Sequence, residues 1–215
     1  MTPVTLRTLE RPPYVEQERP PLLILLHGYG SNEQDLMGMA PYLDDRLHIT
    51  SLRAPLDLGG GYAWYHLSGT LGRLVADATT RAESLSLLQK IVPQIIERTN
   101  ADPQHVYLMG FSQGCVMAMS VALTLPHLIR GVVALSGYLD DVVLPTVQTD
   151  SLRGLAVLWQ HGTQDEVLPI ELGRAARAWL EQTPITLTYL EYPIGHSIHP
   201  EGFTVIQRWL GEQLG

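Results

Sequence analysis

Cysteine is nearly absent: Cys115 is the only one in 215 residues. One thiol can form neither an intrachain disulfide nor a cysteine-based zinc site, so the fold must hold by packing and suits a reducing compartment. Lysine is as scarce. Lys90 stands beside thirteen arginines, and with 14 basic residues against 22 acidic ones the formal charge is −8. That balance leaves no basic stripe for phosphates, which argues against a nucleic-acid partner, and no polybasic segment for an anionic membrane. Long hydrophobic runs are missing too. The longest nearly apolar stretch, Cys115–Leu125, falls short of the ~20 residues that cross a bilayer. Near the N-terminus Arg7, Glu10, Arg11, Glu16 and Glu18 interrupt any segment resembling a signal peptide. A soluble, cytoplasmic protein without a transmembrane segment is the expectation. The sequence is also compatible with a homodimer.

What is present is an ordinary globular composition, 45% apolar and 17% charged. The length predicts one domain over residues 1–215, with roughly 70% of the unfolded surface buried on folding. No internal repeat is visible, and no low-complexity tract beyond the proline patch Pro12, Pro13, Pro20 and Pro21.

The apolar runs Leu22–Leu26, His48–Leu52, His105–Met109, Gly131–Leu135, Leu155–Gln160 and Ile185–Glu191 read as strands, several of them buried on both faces as in a parallel sheet. Val4–Leu9 reads as an edge strand. Helical periodicity marks Thr79–Arg98, with Pro93 inside it, and also Gly114–Leu125, Ile170–Glu181 and Glu201–Gln213. Ser31 or Asn32 could cap a further helix running to about Leu43. Residues 53–78, with Gly59-Gly60-Gly61 and Trp64-Tyr65, read as irregular, and long segments of that kind in compact domains are often functional. Alternating strands and helices predict an α/β fold, a mostly parallel sheet with helices on both faces. Its chemistry should collect at the carboxyl ends of the strands.

Gly110-Phe111-Ser112-Gln113-Gly114 is G-x-S-x-G placed after a strand and before a helix. A sharp strand-to-helix turn crowds the backbone, glycines relieve the clash, and the serine is left exposed at the end of the sheet. The blander reading, a glycine-bounded helix cap, leaves the second glycine unexplained. A serine hydroxyl needs a base and the base an orienting acid, in the chain order Ser, acid, His. Asp165 follows the strand Leu155–Gln160 and is the preferred acid, with Asp140 and Asp141 as rivals and Glu166 as a neighbour. His196 follows the last strand and is the preferred base, with His199 three residues on. No H-E-x-x-H stands in the chain, and no metal site is expected.

Two backbone N–H groups are needed for the oxyanion. Gln113 follows the nucleophile, and His27-Gly28-Tyr29-Gly30 is the early loop whose glycines let the Tyr29 backbone approach a ligand. A phosphate cradle is the competing reading of this loop, but Glu33 stands where G-x-G-x-x-G requires glycine. His27 is expected to bond the loop rather than act as a base, and Cys115 to be a core thiol. Trp64, Tyr65, Leu67 and Leu71 carry enough apolar area to wall an acyl site, unless they plug the core.

Taken together, Leu25–Gly30, Arg53-Ala54-Pro55, Trp64-Tyr65, Gly110–Gly114, His161-Gly162 with Asp165, and Gly195-His196 resemble the phospholipase/carboxylesterase family of α/β-hydrolases, over nearly the whole chain. The resemblance implies an α/β-hydrolase fold without a large lid. It also implies a triad of Ser112, Asp165 and His196, an oxyanion hole from the N–H groups of Tyr29 and Gln113, and no cofactor. The substrate it implies is a small-molecule carboxylic ester or thioester. Tyr29 stands where the family often has leucine, and Cys115 where it often has a second glycine. The expected activity is that of a serine carboxylesterase on short or medium acyl esters. The alternatives are a catalytically inactive binding protein of the same fold and an amide or peptide hydrolase.

Overall fold

The computed structural model describes residues 6–70 and 73–215. The elements in chain order are β1 Thr8–Arg11, β2 Leu22–Leu26, a 3-10 segment Leu36–Tyr42, β3 His48–Leu52, β4 Leu56–Asp57, β5 Tyr62–Ala63, β6 Leu67–Thr70, β7 Arg73–Ala76 and α1 Ala78–Arg98. They continue with β8 Val106–Phe111, α2 Gln113–Thr124, β9 Gly131–Leu135, β10 Ala156–Gly162, α3 Ile170–Leu180, β11 Thr186–Tyr192 and α4 Pro200–Leu214.

One seven-stranded sheet runs in the order β1-β3-β2-β8-β9-β10-β11. Every pair in it is parallel except β1 with β3. The continuous apolar strands sit in its middle because both of their faces are covered. Leu22, Ile24 and Leu26 pack with α1 and α2, while Leu23 and Leu25 pack with α4 and the 3-10 segment. This is the alternation that a pleated strand imposes. At its N-terminus α1 is capped by the Asp77 side chain, which accepts the Thr80 N–H at 2.8 Å. It runs unbroken through Pro93.

Three expectations need correction. The helix expected from Ser31 or Asn32 is only the 3-10 segment Leu36–Tyr42. Gly38 and Pro41 lie within it, and both are poor α-helix interior residues. The edge strand is Thr8–Arg11 rather than Val4–Leu9, and Val4 lies outside the described residues. The described part of residues 53–78 is less irregular than expected: β4 pairs with β5, and β6 with β7, as two short antiparallel ribbons. Polar and glycine-rich stretches hid this strand pairing.

The chain order around β2 positions the site. The chain passes from β2 to β3 on one side, then crosses to β8 on the other. Adjacent strand ends at such a switch open a crevice. Leu26 is level with Gly110 across the β2–β8 pair, so the loops that leave these two strands start side by side.

Candidate active site

Ser112 sits at that switch with φ 55° and ψ −118°, a left-handed conformation for a side chain that rarely adopts one. The turn is held open by its glycines. A Cβ on Gly110 would lie 2.1 Å from the Gly114 carbonyl oxygen, and one on Gly114 would lie 1.9 Å from the Leu26 carbonyl oxygen. The absent methyl groups let α2 start directly against β2. Ser112 N–H donates to the Leu135 carbonyl at 2.9 Å, which ties the turn to β9.

Asp165 and His196 come from the loops that leave β10 and β11, beyond β9 in the sheet. Gly162 of β10 is level with Tyr192 of β11, and the loops beyond them are bonded through Thr163 N–H to Tyr192 O at 2.8 Å and Gln164 N–H to Ile194 O at 3.0 Å. His196 Nδ1 lies 2.7 Å from Asp165 Oδ2. The carboxylate accepts, so Nδ1 carries the proton and Nε2 is left facing the other way. Asp165 Oδ1 accepts the N–H groups of Val167 at 2.9 Å and Leu168 at 2.8 Å. Burial pushes the Asp165 carboxyl up, but the bonds from His196, Leu168 and Val167 outweigh it and hold the group below the usual carboxylate range. The His196 ring also packs on Phe111, with centroids 4.8 Å apart.

The rival residues are engaged elsewhere. Asp140 is buried against the Arg81 guanidinium at 3.1 Å. Asp141 is exposed and reaches the same guanidinium at 3.3 Å. Glu166 points into solvent. The His199 side chain accepts from Glu201 N–H and starts α4.

Gln113 N–H is the first of α2 and has no intrahelical acceptor. Among the described residues the Tyr29 N–H also lacks a hydrogen-bond acceptor. Beside Tyr29, both ring nitrogens of His27 are engaged. His27 Nε2 accepts the Ala54 N–H at 3.0 Å, so its Nδ1 carries the proton and donates to Gly28 O at 2.7 Å. Burial lowers the His27 pKa, in keeping with a neutral ring used as a strut. Gly28 abuts Ser112, where a Cβ would lie 3.4 Å from the serine Cβ.

Ser112, His196, Tyr29 and Gln113 all border one cavity of about 980 Å³. Tyr65 and Leu67 line it, together with Leu144, Leu168, Leu172 and Trp179. Trp64 is a correction: it is fully buried and is not part of the wall. Its indole N–H donates to the His27 carbonyl at 2.9 Å, so the ring braces the Tyr29 loop from behind. Leu71 lies outside the described residues.

Several contributors had no local signal in the sequence. The Gln113 side chain clamps the 64–65 segment, accepting Trp64 N–H at 3.0 Å and donating to Tyr65 O at 2.7 Å. Trp179 and Leu172 reach the wall from α3. Among the described residues no group of three or more His, Cys, Asp or Glu could hold a metal ion. No helix among them is long and apolar enough to cross a membrane.

Residues 14–213 match the model of a protein family described as phospholipase/carboxylesterase. The chain is 32% identical over 146 residues to a probable SOBER1-like carboxylesterase of Arabidopsis thaliana, covering 66% of this chain and 56% of that protein. It therefore spans little more than half the length of that relative. It is 28% identical over 174 residues to acyl-protein thioesterase 1 of Gibberella zeae, covering 76% of this chain and 72% of that one. The carboxylesterase of Bacillus cereus has the same fold, with a TM-score of 0.84 at 19% identity over 97% of this chain and 94% of that one.

Proposed function

The chain belongs to the phospholipase/carboxylesterase family of α/β-hydrolases, and on that premise we propose that it is a serine hydrolase of carboxylic ester and thioester bonds. The observation that carries the reading is the meeting of Ser112, His196 and two unengaged backbone N–H groups at one cavity, with Asp165 bonded to the far nitrogen of His196. Ser112 Oγ attacks the acyl carbon while His196 Nε2 takes its proton. The oxyanion is met by the N–H groups of Tyr29 and Gln113, the second at a helix N-terminus whose dipole favours negative charge. The C–O or C–S bond then breaks, and His196 returns the proton to the departing alkoxide or thiolate. Water attacks the acyl-serine through the same base and releases the acid. Asp165 stays ionised and holds the imidazole in the Nδ1–H tautomer. No step in this sequence calls for a cofactor.

The substrate in this reading is a small-molecule ester with a short or medium acyl chain, lying along Leu67, Leu168 and Trp179. Each methylene that is buried there gains about 0.8 kcal/mol until the wall ends. The reading treats the chain as one domain. It places the enzyme in the cytoplasm, a location supported by a lone thiol, Cys115, that is buried. The test is a series of p-nitrophenyl esters of rising acyl length, assayed beside the matching thioesters and anilides with the wild type and Ser112→Ala. Turnover of esters and thioesters that rises to a medium-chain optimum and vanishes in the variant is the expected result. Hydrolysis confined to anilides, or retained by Ser112→Ala, contradicts it.

A further inference from the structure

A second imidazole lies against the carboxylate that orients His196. His161 belongs to β10 and is buried, with 1% of its surface exposed. Its Nε2 lies 2.8 Å from the Leu168 carbonyl oxygen and 3.6 Å from Asp165 Oδ2. A carbonyl only accepts, so Nε2 carries the proton. The other nitrogen, Nδ1, is buried without a hydrogen-bond partner among the described residues. It faces Gly173, where a Cβ would come within 2.7 Å of it. A proton on Nδ1 would have nowhere to donate, and an unmet buried donor is costly. The geometry therefore selects the neutral Nε2–H tautomer.

These contacts close a ring around the acid. His161 Nε2–H donates to Leu168 O, and Leu168 N–H donates to Asp165 Oδ1 at 2.8 Å. Asp165 Oδ2, the oxygen that engages His196 at 2.7 Å, faces the same His161 nitrogen. We infer that His161 is a positioning residue for Asp165. Its N–H fixes the 165–168 turn by bonding Leu168 O, and its ring packs beside Oδ2 at 3.6 Å, so that the carboxylate keeps Oδ2 on His196 rather than rotating away. This rests on the proposed role of Asp165 in orienting the base. A ring that merely filled space would be replaced equally well by any side chain of its volume. A ring that acts through its N–H would not.

The two roles separate on purified full-length protein assayed with p-nitrophenyl butyrate. His161→Leu keeps an apolar side chain in the core but removes the donor. His161→Gln keeps an N–H near the position of Nε2. A misplaced catalytic group costs up to ~100-fold, so His161→Leu should lower kcat by roughly 10- to 100-fold with KM little changed. His161→Gln should recover most of that loss. Melting curves establish that both variants are folded. Equal losses in the two variants, or a folded His161→Leu with wild-type kcat, would overturn the inference. Should His161→Leu not fold, nitrogen NMR of the wild type decides: an Nε2–H neutral ring supports the inference, and an Nδ1–H or doubly protonated ring overturns it. Ser112→Ala and Asp165→Asn are run alongside. If they stay active, the serine-hydrolase reading itself fails. If they are inactive while a folded His161→Leu is not, only the role of His161 fails.

Discussion

Glu33 and Arg53 meet as a bidentate pair, with Nε to Oε2 at 2.5 Å and Nη2 to Oε1 at 2.6 Å, and the Glu33 carboxylate is wholly buried. Arg53 also donates to the Tyr62 hydroxyl at 2.9 Å. The Tyr62 backbone in turn bonds Gly30 N–H at 2.9 Å and donates to Ser31 O at 2.7 Å. The residue that rules out a phosphate loop in the sequence thus anchors the loop that carries Tyr29. The Arg53 guanidinium holds the Glu33 carboxyl below its usual range despite burial.

Glu33→Gln should therefore weaken both stability and turnover. Removing the charge of Glu33 leaves Arg53 without its counter-ion, a loss moderated by the partial exposure of Arg53. A loosened Tyr29 loop should also lower kcat, by up to the ~100-fold attached to one oxyanion donor. Urea unfolding and ester kinetics check the two effects. Unchanged values in both would remove the anchoring role.

Asp165→Asn should cut kcat by roughly 10⁴-fold, because the amide cannot hold His196 in the required tautomer. Asp140→Asn should instead lower stability by weakening the buried contact to Arg81, with a far smaller effect on kcat. Kinetics of the two variants beside their melting temperatures decide this. The reverse ranking would move the orienting role to Asp140.

Stability should fall as the pH drops through the histidine range. Burial lowers the pKa of both His27 and His48. Unfolded histidine titrates near ~6.5. Between that value and the lowered native values the unfolded chain binds more protons than the folded one, so the unfolding free energy decreases with falling pH. The contribution is complete above the unfolded value and is lost below it. Asp165 and Glu33, both depressed, extend the loss into the carboxylate range near ~4. Urea midpoints measured from neutral to mildly acidic pH test this, and a flat series contradicts it.

Trp64→Ala should destabilise by about 3–5 kcal/mol, as for other buried aromatic truncations, and leave the acyl-length profile of the folded fraction unchanged. Trp179→Ala, on the cavity wall, should move the optimum toward longer chains. A shift with Trp64→Ala and none with Trp179→Ala would exchange the two assignments.

The sheet was readable because its strands are short apolar runs covered on both faces, and Leu22–Leu26, His48–Leu52 and Gly131–Leu135 have the bounds read from sequence. Ser112, Asp165 and His196 are legible as candidates because each follows a strand of the sheet, a local feature. The residues that support them are not. The contacts Gln113–Trp64, Glu33–Arg53 and His161–Leu168 depend on where loops meet, and nothing in a local pattern encodes that. Trp64 is ambiguous in sequence because an aromatic beside a glycine-rich loop looks alike in a pocket wall and behind one.

Whether Ser112 is an activated nucleophile is decided by intact-mass analysis after treatment with a fluorophosphonate. Such a reagent bonds to a serine whose proton is taken by a neighbouring base. The expected result is a single adduct that maps to Ser112 and is absent from Ser112→Ala and from heat-denatured protein. No adduct on folded wild-type protein, or one that persists in Ser112→Ala, would contradict it.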